Sequence, residues 1–177
     1  HYVPLTTSYD YDAALDEAGR PTPKFWAIRK ALAQATHTTP AAMPAATPFM
    51  SVPAFALSES ASLWDNLPAP MHADQPAPMV EYGQNNGYIL YRKHVLGPLK
   101  GHLDLGDVRD YAVIYVDKKP QGSVSRELHQ RGIEVNIGAG EHTLDVLVEN
   151  DGSVNYGPQL ADGRAGLIDP VSLDNKV

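Results

Sequence analysis

The recurrence of apolar residues at every second position between Tyr88 and Glu149 restricts this chain more than any other feature. Ile133, Val135 and Ile137 alternate with Glu134 and Asn136, and Leu144, Val146 and Val148 recur in the same way. A period of two puts each set on one face of an extended strand. Tyr88–His94 reads as a further strand, and Tyr111–Val116 is an apolar run suited to a buried one. Asp117–Pro120 should turn that run into a returning strand over Gln121–Ser125, and Gly138–Glu141 should be a second turn. Several short strands with glycine at their turns predict a mainly β fold, an antiparallel sandwich or jelly roll. Its expected core is Leu90, Val113, Tyr115, Val135, Ile137, Leu144, Val146 and Val148.

Upstream the pattern changes. Eight of the 15 prolines fall between Pro40 and Pro78, and they separate a short N-terminal unit from the β-rich one. Val3–Asp12 suits a strand, and Asp16–Arg20 is a polar loop. Thr22-Pro23 reads as an N-cap with proline in the first turn, where its missing N–H costs nothing. Phe25, Ile28 and Leu32 recur at helical spacing, so Lys24–Gln34 should be an amphipathic helix. A strand and a helix make half a βαβ unit, which cannot bury its own edges and faces. With a start at His1, the expectation is a processed chain or a piece of a larger one. Residues 35–48 form an Ala/Thr/Pro-rich linker. The next stretch keeps its prolines but holds Phe49, Val52, Phe55, Leu57, Leu63 and Trp64, read as short strands or extended segments.

Charge and composition remove several classes of function. A formal charge of −7 argues against polyanionic partners, so neither nucleic acid nor an anionic membrane is expected. The absence of cysteine removes thiol nucleophiles, disulfides and zinc–thiolate sites. No apolar run reaches the roughly 18 residues of a membrane span. The seven histidines show no ligand spacing, and Asp104, Asp107 and Asp110 lack the alternating acids and closing glutamate of a calcium loop. Those aspartates read as caps in a solvated turn. No metal or cofactor is expected, and no nucleophile motif or phosphate-binding loop is present.

Tyr9 and Tyr11 are two apart and share a face of their strand, with Asp10 and Asp12 on the other. Paired rings can cover the apolar side of a sugar while their hydroxyls meet its rim, or they can be half-buried packing residues. Composition alone does not decide between these roles. Trp64, Tyr82, Tyr88 and Tyr156 are the further aromatic candidates for contact with a glycan.

Six blocks carry a family resemblance. Ser8–Ala13, Leu15–Gly19 and Pro23–Arg29 resemble the end of the catalytic barrel in β-galactosidases of glycoside hydrolase family 35. Gly87–Arg92 is similar to a strand of that family, and Asp110–Asp117 with Gly122 to one of its hairpins. Leu144–Asn150 with Val154–Pro158 is the most specific match. The hairpin differs at its turn, where Asp117-Lys118-Lys119-Pro120 stands in place of Asp-Gly.

The resemblance implies that residues 1–34 are the last strand and helix of a (β/α)₈ barrel and 35–48 a linker. Residues 49–177 would be an accessory β-sandwich with a galactose-binding-like jelly-roll fold. It further implies a retaining β-galactosidase as parent, using two glutamates on barrel strands that precede His1. None of the glutamates here stands in such a motif, so no catalytic residue is expected and the chain alone should be inactive. The intact enzyme would bind a galactoside, with Tyr9 and Tyr11 lining its subsite, and the rest of the barrel would be this chain's partner. The alternatives are a carbohydrate-binding module and a non-catalytic interaction domain.

Overall fold

The structure, a computed structural model, describes residues 12–46, 48–154, 157–174 and 176. They group into two compact units, one within 6–60 and the other over 61–177.

The first unit is built on one helix, α1 (Pro23–Thr36), which has proline at its N-terminus and ends on His37 in the left-handed conformation. Thr22 takes the capping position, but its hydroxyl does not cap. It donates instead to the carbonyls of Ala13 and Ala14, at 2.9 and 3.0 Å, and so fastens the preceding turn to the helix start. That turn is closed by Asp16, whose carboxylate accepts the Ala18 and Arg20 amides and pairs with the Arg20 guanidinium at 2.7 Å. No residue of α1 is buried, and Trp26, Ile28 and Leu32 are exposed. The strand expected over Val3–Asp12 lies outside the described residues except for Asp12, which sits in a turn.

Between Phe49 and Leu57, where short strands or extended segments were expected, the chain carries no strand. Phe49, Val52, Phe55 and Leu57 are all exposed. Proline supplies no ladder N–H, and a strand without a paired neighbour has nothing to hold it.

In the second unit β1 (Gly87–Asp104), β3 (Tyr111–Val116), β4 (Lys119–Ser125), β5 (Gly132–Asn150) and β7 (Ser172–Leu173) form an antiparallel sheet. Their order is β4-β3-β5-β1-β7. A smaller sheet pairs β2 (Val108–Arg109) with β6 (Gly166–Leu167). Between them lies the core of Leu103, Leu105, Val108, Ala112, Ile114, Val124, Val135, Val146, Val148 and Leu167. The mainly β, antiparallel class is as the sequence led one to expect.

Two details differ. First, no turn forms at Gly138–Glu141, since β5 runs unbroken alongside β1. The register passes from Gly97↔Gly140 to Leu99↔Ile137, so Gly138 and Ala139 oppose Pro98 alone. This bulge adds one residue to β5 and reverses its alternation, which is how Ile137 and Val146 both turn inward. The two backbones are very close here, and a Cβ on Gly97 would overlap the Gly138 carbonyl. Second, Val135, Ile137, Val146 and Val148 are buried and Leu144 packs on the core, but Leu90, Val113 and Tyr115 are not core residues. Ala112, Ile114, Ile89 and Tyr91 face inward in their place. In Tyr111–Val116 and Tyr88–Tyr91 apolar side chains occupy both faces, so periodicity assigns no phase.

Candidate functional site

The outward side chains of the large sheet form three cross-strand rows. Tyr88, Glu149 and Tyr111 are neighbours across β1, β5 and β3, followed by Leu90, Leu147 and Val113, then by Arg92, Asp145 and Tyr115. Strand alternation places all nine on the face opposite the core. Tyr88 is 57% exposed and Tyr111 37%.

The three rows differ in chemistry. In the third, the Arg92 guanidinium grips Asp145 with two bonds of 2.7 and 3.0 Å. Asp145 is fully buried, and its carboxylate raises the proton affinity of Arg92 by hydrogen bonding and charge. Trp64 approaches Tyr115 edge to face, with ring centroids 5.0 Å apart. A shallow cleft beside this row is lined by Arg92, Asp117, Lys118, Thr143 and Asp145. The middle row is aliphatic. In the first row the Tyr88 hydroxyl donates to Glu149 at 2.7 Å, and that bond and charge raise the phenol's pKa.

Glu149 and its surroundings are structural by their bonding. Its backbone carbonyl accepts from the Asp110 amide, and Asn150 donates to the Asn85 carbonyl and accepts from Gly152. Asp151 has a raised pKa, first from burial and then from Asp110, Glu149 and Glu127. Of these, Glu149 accepts from Tyr88. Asp110, 2% exposed, pairs with Arg126 at 2.8 Å and accepts the Asp151 amide.

The three aspartates of the 104–110 segment diverge. Asp104 accepts the Gly106 amide, Asp107 pairs with Arg109 at 2.6 Å, and Asp110 is buried rather than solvated. Arg109 reaches Asp162 as well, and Arg164 with Arg109 holds the Asp162 carboxyl far below the usual carboxylate range. Among the described residues, no group of three or more histidine or acidic side chains converges on a metal position.

Tyr9, Tyr11 and Tyr156 lie outside the described residues. Trp64 and Tyr82 are half-buried, and Tyr88 is tied to Glu149. Trp64 packs on Tyr115 of the third row, whereas Tyr88 stands in the first. The buried Asp145–Arg92 and Asp110–Arg126 pairs escaped sequence reasoning. A signal for the first existed in Arg92 and Asp145, charged residues set within apolar strands.

The family described as "Beta-galactosidase, first all-beta domain" matches residues 76–177, and "Glycosyl hydrolases family 35" matches residues 1–35. A β-galactosidase of Xanthomonas manihotis is 61% identical over 176 residues, which are 99% of this chain and 29% of that protein. The β-galactosidases of Felis catus and Homo sapiens are 36% and 32% identical over 186 residues, each across 99% of this chain and 27% of theirs. The chain therefore spans less than a third of the length of the relatives it matches.

Proposed function

Because the chain belongs to the β-galactosidases of glycosyl hydrolase family 35 and carries their first all-beta domain, we propose that it serves a retaining glycosidase acting on terminal β-galactosides. The observation that carries this reading is the order of the two family matches, a family 35 segment over 1–35 followed by the all-beta domain over 76–177. In this reading residues 1–34 close a catalytic barrel, 35–48 link, and 49–177 support the barrel as an accessory domain. The chemistry needs an acid/base and a nucleophilic carboxylate about 5 Å apart, and these come from the barrel. The engaged carboxylates of the sandwich suit support rather than catalysis. The aliphatic row Leu90–Leu147–Val113, flanked by Tyr88 and Tyr111, is apolar surface of the kind that another domain covers.

Tyr9 and Tyr11 would stand on the eighth barrel strand, at the rim where barrel enzymes hold substrate. Their hydroxyls would donate to a galactose hydroxyl or to the nucleophilic carboxylate. Two assays with p-nitrophenyl β-galactoside test this. The 177-residue chain should release no nitrophenol. Placed behind the family 35 portion of the Xanthomonas manihotis enzyme, it should support turnover, and Tyr11→Phe should then lower kcat without moving the melting temperature. Turnover by the chain alone, or unchanged kinetics in both Tyr9→Phe and Tyr11→Phe, would overturn the respective assignment.

A further inference from the structure

His142 lies on β5 three residues past Ala139 of the bulge, opposite Val95 of β1. Its Nδ1 is 2.7 Å from Asp117 Oδ2. Asp117 begins the β3–β4 turn in the left-handed region, at φ +50°. That turn is fastened to β5 by two further bonds, from the Asp117 amide to the Thr143 carbonyl and from the Thr143 amide to Asp117 Oδ1, each 2.9 Å. The other ring nitrogen, Nε2, is shut off from solvent and has no hydrogen-bond partner. It is the one buried side-chain polar atom left so among the described residues.

The protonation state follows from these contacts. An ionised aspartate only accepts, so Nδ1 must carry a proton. In the neutral ring Nε2 is then a lone pair sealed away from any donor, an arrangement that costs free energy. In the imidazolium Nε2 bears a proton, and the 2.7 Å bond to the Asp117 carboxylate is what chiefly favours that charged form, the Ala139 and Gly138 carbonyls adding to it. We propose that His142 is a proton-operated latch, whose charged ring holds Asp117 and with it the β3–β4 turn to β5, and whose neutral ring loosens that hold.

The charged groups around it set the sign. The turn contributes Asp117, Lys118 and Lys119, and β1 contributes Lys93, diagonal to His142 on the same face. Asp117 is the group in contact, and its hydrogen bond lifts the His142 pKa above the ordinary 6.5 despite some burial. His142 in turn holds the Asp117 carboxyl below its usual range, with the Thr143 amide adding to the effect. A group whose pKa is higher in the folded state stabilises that state fully below its unfolded value. The latch's contribution is thus complete below about pH 6.5 and is lost as pH rises through the higher folded value. At the acid end it is lost as Asp117 protonates, below the ordinary carboxylate range. Asp117, Lys118 and Thr143 also line the cleft beside Arg92, so the latch decides whether that wall is held.

Nuclear magnetic resonance on the 177-residue chain tests this. The imidazole resonance lost in His142→Gln identifies His142, and its midpoint should lie above those of the exposed histidines. Asp117→Asn should bring that midpoint down. With intrinsic exchange divided out, protection of the Thr143 amide should fall roughly tenfold as His142 deprotonates, the scale of one hydrogen bond. Protection of the Leu147 amide should stay level through the same range. A His142 midpoint at or below the ordinary value, or Thr143 protection that ignores pH, would overturn the latch.

Discussion

The two units of this chain solve the burial problem in opposite ways. The β-rich unit closes two sheets on ten buried residues and pairs its buried carboxylates with arginines. The helical unit buries nothing along α1 and displays Phe49, Val52, Phe55 and Leu57 on an extended segment. Among its described residues it is held by the Asp16 turn, the Thr22 bonds to Ala13 and Ala14, and Arg20 stacked 4.2 Å over the Phe49 ring. The contrast shows that a helix can be specified by its own sequence while none of its residues is fully buried. Stability should therefore concentrate in residues 61–177.

The sharpest way to break that contrast is Asp110→Ala. It removes the carboxylate that pairs with the Arg126 guanidinium, 11% exposed, and frees the Asp151 amide. A loss of about 3–5 kcal/mol in urea unfolding is expected, and a loss below 1 would show that the pair is dispensable. Ile114→Ala comes next. Its side chain is fully buried, so about 2–5 kcal/mol should be lost, while the neighbouring Val113→Ala on the other face should cost far less. Equal costs would mean that both faces of β3 are covered in solution.

Tyr91→Phe removes a hydroxyl that donates to the Ala77 carbonyl at 2.7 Å and accepts the Leu167 amide at 3.1 Å. A loss of about 1–3 kcal/mol is expected by thermal melting. Burial pushes the Tyr91 pKa up to about 12, so its phenolate absorbance should appear only after the exposed tyrosines have ionised. The smallest effect should come from Leu32→Ser in α1, within about 0.5 kcal/mol of the parent in the main transition. A larger shift would place that helix inside the cooperative unit.

Legibility varied with how much a position depends on distant chain. Strict alternation with Glu134 and Asn136 identified the inward residues of Ile133–Ile137, because the other face was polar. The recurrence of Leu144, Val146 and Val148 did the same despite Leu147 on the opposite face. In Tyr111–Val116 both faces are apolar, and the choice of Ala112 and Ile114 rested with the neighbours on β4 and β5. Gly138–Gly140 looked like a turn because glycine marks turns. Here glycine lets β5 bulge against β1, which only the partner strand can show. Of the candidate binding residues, the structure describes Trp64, Tyr82 and Tyr88, while Tyr9, Tyr11 and Tyr156 lie outside the described residues.

By itself the sequence determined the β class, the α1 helix with its proline start, the β3–β4 reversal and the family. Each is written in short-range periodicity, turn chemistry or a contiguous motif. Tertiary structure alone decided the inward phase of β3 and the unbroken course of β5. It alone partnered Asp145 with Arg92, Asp110 with Arg126 and Asp117 with His142. Those partners lie 53, 16 and 25 residues apart along the chain. No local pattern encodes which distant charge will come within 3 Å, because that distance exists only once the strands have paired.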